Sequence, residues 1–116
     1  MASSSITISG TVTGLPEGSN TLSFTYINGS APGSRDIVNL TTTPVALTIP
    51  TNTLFVVIVP PSTNTINLLV SGATGETVGA KLHPTNPTII PVPAASPSIF
   101  LFCASTTISN VQVYYI

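Results

Sequence analysis

Apolar and polar residues alternate along much of this chain, with the period of two that belongs to extended strands. Ser5 to Thr13, "SITISGTVT", sets Ile6, Ile8, Gly10 and Val12 against Thr7, Ser9, Thr11 and Thr13, the pattern of a half-buried strand. Gly10 inside it predicts a bulge or a close neighbour. "GLPEGSN" is a turn, and Thr21 to Ile27 then puts Leu22, Phe24 and Tyr26 on one face and Thr21, Ser23 and Thr25 on the other. "NGSAPGS" reads as a loop, with Asn28-Gly29 as a possible turn. Arg35 to Leu40 is a short strand, and Pro44 to Ile49 presents Val45, Leu47 and Ile49 inward.

Two runs abandon the alternation. Thr53 to Val59, "TLFVVIV", and Ser98 to Ala104, "SIFLFCA", are apolar on both sides, which predicts central strands covered on both faces. For the first run, one cover is the chain's own core and the other a neighbouring subunit. Pro60-Pro61 ends that strand, because proline cannot donate to a ladder. Thr65 to Val70 begins the return, so these two runs form the expected hairpin. Ser71 to Glu76 is a turn and Thr77 to Leu82 a weaker strand. His83 to Pro97 carries five prolines and reads as an extended edge or crossover. Val111 to Ile116 closes the chain as a strand that must be paired or covered.

The helix signal is nearly absent. No window of twelve residues escapes the eleven prolines and eight glycines while keeping a 3.6-residue apolar period. The expectation is an all-β protein, one domain over residues 1–116, built as a β-sandwich or jelly roll of about eight to ten short strands with no significant helix. Strand order is not readable from the pattern.

Charge changes the picture next. Arg35, Lys81, Glu17, Asp36 and Glu76 make up 4% of 116 residues, and the net charge is −1. An ordinary soluble domain carries about 25% charged residues. With 42% hydrophobic residues the chain is not a disordered one. Ser, Thr and Asn take the place of the missing charge. Such a surface repels its neighbours weakly and loses little side-chain entropy when covered, which suits a subunit of an assembly. Two basic residues cannot form a nucleic-acid footprint. The longest apolar run, Leu54 to Val59, is far short of the ~20 residues that span a bilayer. "MASSSITISG" has no basic or apolar signal region, so the protein is expected to be made in the cytoplasm without a signal peptide. The sequons at Asn28 and Asn39 then read as chance.

Candidate chemistry is sparse. His83 is the only histidine, and a metal or acid–base site needs partners that its neighbours do not supply. It reads as a loop residue with a structural hydrogen bond. Cys103, the only cysteine, excludes an internal disulfide and sits between apolar residues, where a thiol packs as a small hydrophobe. Glu17 and Glu76 lie in glycine-rich turns as solvated carboxylates, and Arg35-Asp36 could pair locally or between subunits. "SGATGETVG" has three glycines but is no phosphate-binding loop, since no helix follows. No tryptophan is present, and Tyr114 and Tyr115 should face opposite ways, so a sugar-stacking platform is poorly supported. The irregular Thr-x-Thr spacing reflects β propensity and not an ice- or polymer-binding array. No catalytic, cofactor-binding or metal-ligating residue is assigned, and an enzyme is not expected.

Residues 8–24, "ISGTVTGLPEGSNTLSF", and 54–88, "LFVVIVPPSTNTINLLVSGATGETVGAKLHPTNPT", with the closing β-strand, resemble small virion structural proteins of tailed bacteriophages. The most specific pieces are Val59-Pro60-Pro61-Ser62-x-Asn64-Thr65, then Gly72-x-Thr74-Gly75-x-x-x-Gly79 and Leu82-His83-Pro84-Thr85. The resemblance implies a capsid decoration or cement protein, or an appendage, that is all-β. It also implies a homo-oligomer, trimer favoured and dimer possible, bound to a major capsid protein lattice in the virion. A tail or surface receptor- or carbohydrate-binding module is the alternative. A shell-forming jelly-roll subunit is less suited to so short a chain with no basic arm. Val57→Asp and Leu101→Asp are expected to abolish soluble folded protein, and His83→Ala to leave assembly nearly intact.

Overall fold

The computed structural model describes residues 2–73, 75–92 and 98–116; Thr74 of the glycine-rich turn and Pro93 to Pro97 of the proline-rich stretch lie outside them. Among the described residues there are ten strands and no helix. The strands are β1 (Ala2–Leu15), β2 (Gly18–Ala31), β3 (Ser34–Leu40), β4 (Val45–Ala46), β5 (Phe55–Val59), β6 (Leu68–Ser71), β7 (Ala80–Lys81), β8 (Thr88–Pro91), β9 (Phe100–Cys103) and β10 (Ile108–Tyr115). They form three antiparallel sheets. Strands β3-β10-β5-β8 make one four-stranded sheet, β4-β9-β6-β7 a second, and β1-β2 a two-stranded ribbon of their own.

The two larger sheets form a β-sandwich around one core. Leu40, Val56, Ile58, Ile108, Val111, Val113 and Tyr115 come from the first sheet and Leu68, Leu101 and Cys103 from the second, with Ile99 just ahead of β9. Alternation explains the choice of face. In β5, Val56 and Ile58 are buried, while Phe55, Val57 and Val59 point outward and are half-buried. β5 lies between β10 and β8, and β9 between β4 and β6, so both runs without alternation are interior strands as expected. On the outer side of the second sheet the cross-strand pair Leu69 and Phe102 is buried as well, which accounts for the double-sided apolarity of β9.

Several expectations are corrected. Thr53–Val59 and Thr65–Val70 are not a hairpin: β5 pairs with β8 and β10, and β6 with β7 and β9. The Pro60-Pro61 link instead carries the chain from one sheet to the other. The terminal strand is paired, as expected, and on both sides, since β10 lies between β3 and β5. Asn28-Gly29 does not turn; β2 runs through it to Ala31, and the Asn28 side chain is buried. Val45 is exposed, while Leu47 and Ile49 pack against the core, because the strand there lasts only two residues. Gly10 is no bulge: the ladder passes through it in register with Leu22. The proline-rich stretch supplies β8 at a sheet edge, as expected, where a missing donor costs least.

Local chemistry fixes the turns. β6 and β7 approach so closely that a Cβ on Gly79 would lie 2.5 Å from the Val70 carbonyl oxygen. In β10, Ser109 and Asn110 oppose the single residue Asn39, and the left-handed Asn110 (φ 62°) donates its N–H to Asn39 Oδ1 at 3.0 Å. The β1–β2 turn places Pro16 and Glu17 at its tip.

Candidate functional site

His83 acts as a loop brace. Its Nδ1 accepts the N–H groups of Thr85 at 3.1 Å and Asn86 at 2.9 Å. The same loop is held from the other side by Asn64, whose Nδ2 donates to the Pro84 carbonyl at 2.6 Å, and by Asn67 Nδ2, which donates to Leu82 at 3.0 Å. Cys103 lies in the core, its thiol directed to the Thr106 carbonyl at 3.5 Å, and burial pushes its pKa up. Burial and a raised pKa both disfavour the thiolate a nucleophile requires. Among the described residues no three of His, Cys, Asp and Glu come together as metal ligands, and no helix is long and apolar enough to cross a membrane.

Arg35 and Asp36 do not pair with each other, because successive residues of an extended strand face opposite ways. Asp36 takes the core side and accepts the Tyr115 hydroxyl at 3.1 Å. Burial, with the Asp36 carboxylate beside it, pushes the Tyr115 phenol up to about 12. Arg35 takes the outer side, its guanidinium carbon 6.0 Å from the centre of the Tyr114 ring. Tyr114 and Tyr115 thus face opposite ways, as expected. Arg35, Tyr114, Ser5, Ser34 and Ile116 line an open cleft of about 510 Å³ where the base of β1 meets the sandwich.

The largest unexpected feature is the β1–β2 ribbon. Its register places Ile6 opposite Tyr26, Ile8 opposite Phe24, Gly10 opposite Leu22 and Val12 opposite Asn20. One face is therefore a continuous apolar band. The opposite face pairs Thr7 with Thr25, Ser9 with Ser23 and Thr11 with Thr21, interrupted by the exposed Ile27 beside Ser5. The alternation of β1 suggested a half-buried strand, yet the band is open to solvent: Ile8 is 40% exposed, Leu22 43%, Phe24 46% and Tyr26 46%. The sequence marks this face as apolar but carries no signal that it stays uncovered.

Among the described residues the ribbon is anchored at its base. Asn28 Nδ2 donates to the Asn52 carbonyl at 2.8 Å, and Asn28 Oδ1 accepts from the Ser30 N–H at 3.1 Å. The same bonds engage the amide of the first sequon. Tyr26 leans on Phe55, ring centres 4.9 Å apart. Phe55 belongs to the outer row of β5 with Val57 and Val59, so the apolar band of the ribbon runs on to the outer face of the first sheet. No charged residue occupies the band; Glu17 at the tip is the only charge on the ribbon.

Comparison with protein-family models, curated proteins and solved structures finds no match to this chain.

Proposed function

We propose that this chain is a non-enzymatic virion structural protein that oligomerises symmetrically and binds a phage capsid as a decoration or cement protein. The observation that carries the reading is the ribbon: an uncharged apolar face standing clear of a sandwich that already has its own core. Low charge supports it as well, since a surface of Ser, Thr and Asn is easily covered. The assembly would be a trimer or a dimer on the lattice of a major capsid protein, in a virion put together in the host cytoplasm. Edge strand β8 and the loop braced by His83 would meet capsomers, each contact modest and the sum made strong by multivalency. The test is the mass of the purified protein by light scattering, followed by sedimentation with empty capsids lacking it. A dimer or trimer that pellets with capsids is the expected result; a monomer indifferent to capsids contradicts it.

One observation favours a second reading, a receptor- or carbohydrate-binding module on a tail or surface. The cleft beside Arg35 and Tyr114 sets a cation, an aromatic ring and the hydroxyls of Ser5 and Ser34 around one opening. Binding on a glycan array that is lost in Arg35→Ala would favour this reading over the first.

A further inference from the structure

The accessible surface is 6826 Å², whereas a compact monomer of 11.9 kDa exposes about 5,900 Å². The radius of gyration, 15.5 Å, likewise exceeds the roughly 13 Å of a compact chain of this length. Among the described residues the ribbon stands outside the common core and contributes to this excess. That excess of about 900 Å² matches the ~800 Å² each partner gives up in a stable interface.

We propose that the apolar face of the β1–β2 ribbon packs against the same face of a second copy of this chain. The proposal rests on the assembly reading above and names the surface that makes the assembly. A two-stranded ribbon is at best marginally stable alone in water, and these strands are fourteen residues each, against a usual five or six. Something must bury the band for the ribbon to persist. The band offers no charge for an oppositely charged partner to read, and a second copy presents the same apolar row for it to meet.

Gly10 supplies an independent sign. It lies mid-strand, where glycine weakens the ladder, and its backbone needs no positive φ. A Cβ built on it meets nothing within 4 Å. Among the described residues nothing therefore calls for glycine. It leaves a notch in the row between Ile8 and Val12, next to the large Phe24 and Leu22. Facing copies place such a side chain over the notch, which is the close approach that glycine permits.

Light scattering and capsid sedimentation on three variants test this. Ile8→Asp puts a charge on the band, Gly10→Ile fills the notch, and Ser9→Asp puts the same charge on the back face between the two. The wild type and Ser9→Asp should be oligomers. Ile8→Asp should fall to 11.9 kDa, and Gly10→Ile should dissociate at concentrations where the wild type holds. Circular dichroism and a cooperative melt should show the sandwich intact in all three. Equal masses for Ile8→Asp and wild type, or a wild type that is monomeric, overturn the proposal. Sedimentation separates the two claims. A monomeric wild type that still pellets with capsids removes the ribbon interface and keeps the virion reading; a wild-type oligomer that Ile8→Asp dissociates but that ignores capsids keeps the interface and removes the virion reading.

Discussion

The ribbon and the sandwich are written in the same alphabet. β1 and β2 alternate Ile, Val, Leu and Phe with Ser and Thr, and β10 alternates Ile108, Val111, Val113 and Tyr115 with polar or half-buried neighbours. In β10, once past the bulge at Ser109 and Asn110, every second side chain is buried beneath the opposite sheet; in the ribbon the middle of the corresponding row lies open. Alternation therefore states which face is apolar and is silent on what covers it. In the sandwich the cover comes from the same chain, through contacts far apart in sequence. In the ribbon no segment of the described chain reaches the band beyond its base, where Tyr26 meets Phe55.

That contrast can be broken most forcefully in the core. Leu101 is fully buried, so Leu101→Asp places an unpaired charge among apolar groups and should cost at least 3–5 kcal/mol, roughly the cost of stranding a buried charge, leaving no cooperative melt. Val57 lies in the half-buried outer row of β5. Val57→Asp should therefore keep a melting transition, which revises the expectation that both changes abolish folding. Next comes Gly79→Ala, whose methyl meets the Val70 carbonyl and should lower stability by about 1–3 kcal/mol in a denaturant titration.

Tyr115→Phe sharpens the comparison through pH. The folded state holds the phenol proton more tightly than the unfolded chain, because the folded pKa is about 12 against an ordinary 10. Stability from this group is complete below pH 10 and is lost as pH rises toward 12. The wild type should lose stability over that window and Tyr115→Phe should lose less, while being weaker at neutral pH by about 1–2 kcal/mol. Smallest of all is Phe24→Ser, which should move the melting of the sandwich by no more than about 0.5 kcal/mol when measured on the monomer, since it removes nothing from the core.

Much of this fold was legible. The strand alternation, the doubly apolar β5 and β9, the proline-rich edge at β8 and the buried Cys103 all follow from side-chain chemistry acting over a few residues. Pairing was not. Nothing local distinguishes a Pro60-Pro61 turn within one sheet from a link between two, and nothing in Val111 to Ile116 says that two neighbours await it. His83 was read rightly as a brace because a lone imidazole among Thr and Asn has few other uses. β1 was read as half-buried, which holds for Ile6 and Val12 but not for Ile8, because its pattern is identical to that of a covered strand. Gly10, read as a bulge or a close neighbour, forms no bulge; in the proposed assembly the neighbour would be another copy.

Amide hydrogen exchange measured over a dilution series tests the central claim most directly. The account predicts that amides of β5 and β10 stay protected at every concentration, while those of β1 and β2 lose protection as the chain dilutes to a monomer. Ribbon amides protected equally in the monomer would contradict it, for the apolar band would then hold itself together without a second copy.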